Sequence, residues 1–252
     1  MQLFFKEYGQ GRPLILLHGL FGSSDNWHAI ARELAKRFHV YALDQRNHGH
    51  SPHSAEMSYS LMAEDAKEFL KAHRIEKASF IGHSLGGKTA MQFALQFPDK
   101  VEKLLIEDMA PRAYLQAHHD IFTALLGLDL ANYKARQEIE DALALEIPSL
   151  VLRRFLLKNL GRNPDGTFFW KINLRGLSTN YPQLGEPVFS SLPFTKPVLF
   201  IRGGNSSYLN PEDEPLVRQL FPLAEIKTVA EAGHWVHGEK PEEFLALALA
   251  FL

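Results

Sequence analysis

Residues 78–89 read Ala-Ser-Phe-Ile-Gly-His-Ser-Leu-Gly-Gly-Lys-Thr. An apolar run of strand character gives way here to a helical pattern, and Gly82-His83-Ser84-Leu85-Gly86 forms a G-x-S-x-G turn between the two. A serine on so sharp a strand-to-helix turn needs small neighbours two residues to either side, because larger side chains would collide across the turn. The conformation exposes its hydroxyl at a helix N-terminus, where backbone N–H groups favour developing negative charge. On this reading Ser84 is a nucleophile.

The same residues support a rival. Residues 82–89 also fit G-x-x-x-x-G-K-T, a phosphate-cradling loop that likewise follows a strand and opens a helix. Leu104-Leu105-Ile106-Glu107-Asp108 resembles the apolar strand that ends in a magnesium-holding acid. The remaining chain arbitrates. A nucleotide-binding protein has no use for a His-Gly turn after an earlier strand, nor for a histidine near the C-terminus. The serine reading requires both, in that order. Lys88 and Thr89 are then ordinary helix residues.

Working outward, Leu14-Ile15-Leu16-Leu17-His18-Gly19-Leu20-Phe21-Gly22 is a buried strand running into the His-Gly turn. Attack on an ester creates an oxyanion held by two fixed backbone N–H donors, and losing one costs about 10²–10³ in rate. Leu85, directly after the nucleophile, is one expected donor. The second belongs to this turn, with Leu20 the choice and Phe21 beside it, while His18 is structural. Toward the other end, Gly233-His234-Trp235 follows the last strand, where a short loop carries an imidazole over the nucleophile. His234 is the expected general base, in the chain order Ser…acid…His. His237, three residues on, lines the same loop.

The third member must accept the imidazole N–H and fix its tautomer. The loop after the next-to-last strand, Gly203-Gly204-Asn205-Ser206-Ser207-Tyr208, offers no carboxylate before Glu212. Asp108, ending the strand over residues 103–107, lies on the same catalytic edge and takes the role, with Asp213 the remote alternative. Glu107 then alternates to the other side of the strand. The polar stretch Asp44-Gln45-Arg46-Asn47-His48-Gly49-His50-Ser51 reads as a loop held by its own hydrogen bonds. Neither His48 and His50 nor His118-His119 comes with a metal-ligand set at a recognised spacing, so no metal is expected.

Around these motifs, short apolar runs alternate with helical patterns, the mark of a mostly parallel sheet covered on both faces. Strands are expected over residues 14–17, 40–43, 78–81, 103–107, 198–201 and 225–229, with an edge strand over 2–7 that turns at Gly9 and Gly11. A helix is expected over 59–73, and Pro241 suits the first turn of a final one. Between residues 112 and 195 the alternation stops. Helical patterns over 121–126, 138–145 and 150–160, then a turn at Asn163-Pro164-Asp165-Gly166, indicate a helical cap on a core of residues 1–111 and 196–252.

Bulk properties agree. The chain has 252 residues, enough for one sizeable core, and its formal net charge of −2 gives no reason to expect nucleic acid. With no cysteine, disulfides and thiolate metal sites are excluded, which fits a reducing compartment. The N-terminus shows no secretory pattern, and the longest apolar run, residues 244–252, is too short to span roughly 30 Å of hydrocarbon. A cytoplasmic protein with no membrane partner is the expectation.

Gly-His-Ser-Leu-Gly-Gly-Lys, Asp-Gln-Arg-Asn-His-Gly-His-Ser, Arg-Gly-Gly-Asn-Ser and Ala-Gly-His-Trp-Val-His together resemble the YbfF-type bacterial esterases, members of the α/β-hydrolase superfamily also related to a mitochondrial hydrolase. The resemblance runs over nearly the whole chain. It implies the α/β-hydrolase fold, a triad acid after the sixth strand of the family's sheet, which supports Asp108, and hydrolysis of short acyl esters or acyl-CoA thioesters beneath a small helical cap, without a cofactor.

Substrate signals are fewer. Arg153, Arg154, Lys158, Arg162, Lys171 and Arg175 face one acid, Asp165, over residues 151–175, a run able to hold coenzyme A phosphates or simply to solvate a helix face. Phe122, Tyr133, Phe155, Phe168, Phe169 and Trp170 are candidates for an acyl pocket or for cap core. A serine nucleophile disfavours dehalogenase and epoxide-hydrolase chemistry, which need aspartate there. A carbon–carbon hydrolase, a peptidase, an acyltransferase and a ligand-sensing module with little turnover all remain open.

Overall fold

The computed structural model describes residues 1–115 and 118–252. The chain opens with β1 (Phe5–Tyr8), β2 (Arg12–Leu17), α1 (His28–Leu34), β3 (Phe38–Leu43), α2 (Tyr59–Ala72), β4 (Ala78–His83), α3 (Leu85–Gln96) and β5 (Val101–Glu107). An inserted segment follows, with α4 (His119–Gly127), α5 (Arg136–Leu143), α6 (Leu150–Leu156), the hairpin β6 (Leu160–Arg162) and β7 (Phe168–Trp170), and α7 (Leu174–Gly185). The chain closes with β8 (Val198–Gly203), α8 (Glu214–Leu220), β9 (Ala224–Val229), α9 (Val236–Glu239) and α10 (Pro241–Phe251).

Seven strands form one sheet in the order β1-β3-β2-β4-β5-β8-β9, parallel except for β1, which runs antiparallel to β3. This is the α/β-hydrolase fold. Its strands read as unbroken apolar runs because both faces are covered. In β2, Ile15 and Leu17 pack toward α2 and α3, while Leu14 and Leu16 pack toward α1 and α10. Each such side chain, fully buried, contributes about 1.5–3 kcal/mol. The parallel pairing leaves the carboxyl ends of β2 to β5, β8 and β9 along one edge, where Ser84, Asp108 and the loop after β9 emerge.

Several boundaries shift by a few residues from the sequence reading, and two of the shifts have a clear cause. The edge strand is Phe5–Tyr8 rather than residues 2–7, set by its pairing with β3 from Phe5↔Leu43 to Tyr8↔Val40. Gly9 and Gly11 do turn the chain, with φ of 67° and 119°. The helix expected over 150–160 stops early, passing through a 3-10 turn at Leu157–Asn159 into β6. Gly161 allows that strand to lie against the Phe169 ring, since a Cβ there would stand 2.4 Å from it. The predicted turn closes the hairpin, with Gly166 N donating to Asn163 O at 2.9 Å.

The inserted segment has its own apolar cluster, including Phe122, Leu125, Ile139, Leu143 and Leu177, and the cluster is continuous with Phe21, Met57, Tyr59 and Leu85 beneath it. Asn180 reinforces the contact, accepting from Met57 N at 3.1 Å and donating to Ala55 O at 2.8 Å. Among the described residues no helix is long and apolar enough to cross a membrane.

Candidate active site

Ser84 sits between β4 and α3 with φ 53° and ψ −117°, a strained conformation for a residue with a side chain. The flanking glycines make it possible. A Cβ on Gly82 would lie 2.3 Å from Gly86 O, and one on Gly86 would lie 2.2 Å from Leu17 O. Gly82 belongs to β4, and α3 begins immediately at Leu85. The phosphate-cradling loop of the rival reading therefore does not form. Nor is Lys88 an ordinary helix residue: it is buried, in the wall of a cavity that Ser84 shares.

At the end of β5 the chain turns sharply at Asp108, whose φ is 46°. Its carboxylate is fully buried and surrounded by donors: Gly203 N to Oδ1 at 2.9 Å, with Ser206 Oγ and His234 Nδ1 to Oδ2, the latter at 2.7 Å. Holding the proton on Nδ1 leaves Nε2 of His234 as a base. The imidazole is stacked on Tyr208, ring centroids 3.8 Å apart, and is 18% exposed at the cavity it shares with Ser84. Asp213, the alternative acid, is engaged elsewhere, with Arg112 Nε at 2.8 Å.

Glu107 reaches a different histidine. Its fully buried carboxylate accepts from His237 N at 2.8 Å and from His237 Nδ1 at 2.7 Å. Burial opposes its ionisation, but His237 and His83 close by hold its pKa below the ordinary glutamate value. His83 Nε2 bonds the backbone carbonyl of His234 at 2.9 Å, joining the Ser84 turn to the histidine loop. Its burial pushes the imidazole pKa down to about 3, so it serves as a neutral donor. Sequence reasoning left His83 and Glu107 unassigned and gave His237 only a place in the loop.

The His-Gly turn lies where expected. His18 Nδ1 donates to Gly19 O at 2.8 Å and Nε2 accepts from Gln45 N at 3.0 Å, which makes the ring a structural strut. Phe21 adopts φ 60°, and its carbonyl accepts from Asn159 Nδ2, in the inserted segment, at 2.7 Å. The loop after β3 is held partly by its own bonds, Asp44 accepting from His50 N at 2.8 Å, and partly from outside, Ser24 N donating to Asp44 at 2.6 Å. Arg46 pairs with buried Asp65 at 2.6 Å.

Two cavities meet at Ser84. One, about 290 Å³, is walled by Leu20, Leu85, Tyr59, Lys88, Tyr114 and Tyr181, among others. The other, about 270 Å³, brings Leu20 and Phe21 together with His234, Leu152, Phe155 and Trp235. Of the six aromatic pocket candidates only Phe155 lines either one; Phe122, Tyr133, Phe168 and Trp170 pack within the inserted segment, and Phe169 is largely exposed. None of the six basic residues of 151–175 lines these cavities. Arg153 instead donates to Ile147 O at 2.7 Å, and Arg162 to Gly166 O at 3.0 Å. Among the described residues no three His, Asp or Glu side chains converge as a metal-holding group.

Residues 12–120 match the family model for the alpha/beta hydrolase fold, and the chain belongs to that family. Its place within the family is with the YbfF-type esterases, carboxylesterase-type hydrolases. Esterase YbfF of Escherichia coli is 36% identical over 95% of this chain and 92% of its own length. The sn-1-specific diacylglycerol lipase ABHD11 of Danio rerio is 38% identical, covering 98% of this chain and 80% of the relative. A solved marine microorganism esterase superposes with a TM-score of 0.97 at 45% identity, over 100% of this chain and 99% of its own.

Proposed function

We propose that this protein hydrolyses acyl esters, and thioesters of the same acyl groups, through an acyl-serine intermediate. Ser84 is the nucleophile, His234 the general base and Asp108 the acid that orients it. The observation that carries the reading is the 2.7 Å bond from His234 Nδ1 to a fully buried Asp108 carboxylate, on a ring that shares a cavity with Ser84. His234 Nε2 takes the Ser84 proton as Oγ attacks the acyl carbon, then delivers it to the departing alcohol or thiol. Water repeats the sequence on the acyl-serine. The developing oxyanion is assigned to the backbone N–H groups of Leu85 and of the 20–21 turn, Leu20 first and Phe21 second.

In this reading residues 112–195 are a cap on a core of residues 1–111 and 196–252, and the two cavities divide the substrate into acyl and leaving-group halves. Oxygen esters come first, because the basic run proposed to hold coenzyme A phosphates stands outside both cavities. A cytoplasmic setting suits a chain without cysteine.

The test is turnover of a chain-length panel of p-nitrophenyl esters and acyl-CoA thioesters, wild type against Ser84→Ala. Loss of about 10⁴–10⁶ in kcat with the fold intact is expected. Full activity in the variant refutes the mechanism. Absence of wild-type turnover on every ester and thioester would move the assignment to carbon–carbon cleavage, acyl transfer or ligand sensing. Unchanged KM for acyl-CoA in Arg153→Ala/Arg154→Ala would remove the coenzyme A role of that run.

A further inference from the structure

Lys88 stands one turn beyond Ser84 on α3, about 6 Å of helical rise, and helical side chains lean back toward the N-terminus. Its side chain therefore runs toward the level of the nucleophile. The residue is 1% exposed, and it lines the tyrosine-rich cavity. Its Nζ donates to the carbonyl of Glu186, at the end of α7, and faces the rings of Tyr59 and Tyr114 at 5.3 and 4.9 Å. An ammonium has three N–H donors. One carbonyl and two ring faces leave it short of the acceptors that water would supply.

The rest of the wall sharpens this. The tyrosine hydroxyls are occupied, Tyr59 donating to Leu184 O at 2.7 Å and Tyr114 to the Tyr208 carbonyl. Arg112, the other cation of the cavity, is paired with Asp213 and lies 4.1 Å from the Tyr114 ring. Among the described residues no aspartate or glutamate lines the cavity. The Lys88 Nζ thus has no carboxylate beside it among the cavity-lining residues, only the Glu186 charge from the end of α7, in a largely apolar space that begins at Ser84.

We propose that Lys88 binds the far end of the acyl group, so that this cavity selects short acyl chains ending in a carboxylate, such as the half-esters of aliphatic diacids. The proposal rests on the serine-ester reading above. Burial, with Arg112 nearby, pushes the Lys88 pKa down to about 7 against the opposing pull of the Glu186 carboxylate. A carboxylate seated against Nζ would restore the charged form and supply the missing acceptor. A lysine serving only to close the end of α7 would satisfy Glu186 O equally well but confer no preference among acyl groups.

The experiment compares kcat/KM for monoethyl succinate, glutarate and adipate with that for ethyl butyrate, pentanoate and hexanoate. In parallel, binding of glutaramate, which carries one terminal carboxylate, and of neutral pentanamide to the wild-type protein is measured by calorimetry, which needs no turnover and no variant. A diacid preference of about ten- to hundred-fold is expected, the size of a charge-assisted hydrogen bond. Lys88→Met should remove it, chiefly through KM, and Lys88→Arg should retain much of it. Turnover of both series without preference, or glutaramate binding no tighter than pentanamide, overturns the proposal and leaves the hydrolase reading standing. Tight glutaramate binding without turnover of any ester would support the anion site and refute the hydrolase reading instead.

Discussion

Asp108→Asn isolates what the buried carboxylate does for His234. Gly203 N donates to Oδ1 at 2.9 Å, and a backbone N–H cannot reverse its polarity. The new amide must therefore place its oxygen toward Gly203 and its NH₂ where Oδ2 stood. Ser206 Oγ adapts by rotating its hydroxyl to accept. The imidazole, 2.7 Å away at Nδ1, must give up its proton there and carry it on Nε2. A ring protonated at Nε2 cannot accept the Ser84 proton. The equivalent change in serine proteases lowers kcat by about 10⁴, or about 5.5 kcal/mol of barrier. We expect a loss of about 10³–10⁴ in kcat on the best p-nitrophenyl ester, with KM within a few-fold and thermal unfolding little altered, because the Gly203 N–H keeps its acceptor. Glu107→Gln is the companion. The substituted amide oxygen still accepts from His237 N, so kcat should fall by about tenfold or less. An Asp108→Asn enzyme retaining more than about a tenth of wild-type kcat, or a Glu107→Gln enzyme crippled equally, would refute the assignment of Asp108.

Further expectations concern the supports of the site. Gly86→Ala places a Cβ 2.2 Å from the Leu17 carbonyl and should destabilise the fold by about 3 kcal/mol, read by urea unfolding; a neutral result would show that the turn can relax. Asn159→Ala removes the 2.7 Å bond to the buried Phe21 carbonyl and should cost about 1–3 kcal/mol in stability and about tenfold in kcat, whereas unchanged kcat would detach Phe21 and Leu20 from oxyanion binding. Burial pushes the His48 and His83 pKa down to about 3. The unfolded chain, with histidines near 6.5, then takes up protons that the folded one does not, so stability is complete above about pH 6.5 and falls with decreasing pH by roughly 1.4 kcal/mol per unit per histidine. Stability that stays flat from about pH 7 to 5 would contradict that burial.

Much of this was legible in the sequence because the deciding constraints are local. The G-x-S-x-G turn declares itself through sterics that act within a few residues, and doubly covered strands declare themselves as unbroken apolar runs. The pairing of Asp108 with His234 could also be anticipated, since the loop after β8 held no carboxylate and the end of β5 did. What was not legible depends on neighbours distant in sequence. The register of β1 is set by β3. The strands β6 and β7 are too short to carry periodicity, so the helical pattern of residues 150–160 overran the end of α6 and the 3-10 turn as far as the first residue of β6. Ser206, which bonds Asp108 across 98 residues, and Tyr208, which stacks on His234, are placed by contacts that no local periodicity announces.

The two carboxylates that end β5 show where sequence reasoning stopped short. Alternation along a strand predicts that Glu107 and Asp108 diverge, and they do, yet both serve the same loop. Asp108 holds His234 at 2.7 Å while Glu107 holds His237 at 2.7 Å, so the segment between the two histidines is gripped at both ends. His83 adds a third hold through the His234 carbonyl at 2.9 Å. A base whose ring must stay over Ser84 through two proton transfers needs its backbone fixed as well as its tautomer. In the proposed mechanism Asp108 sets the tautomer, and Glu107, His237 and His83 hold the backbone. His237, which the sequence places only in the same loop, is then half of the clamp on its neighbour.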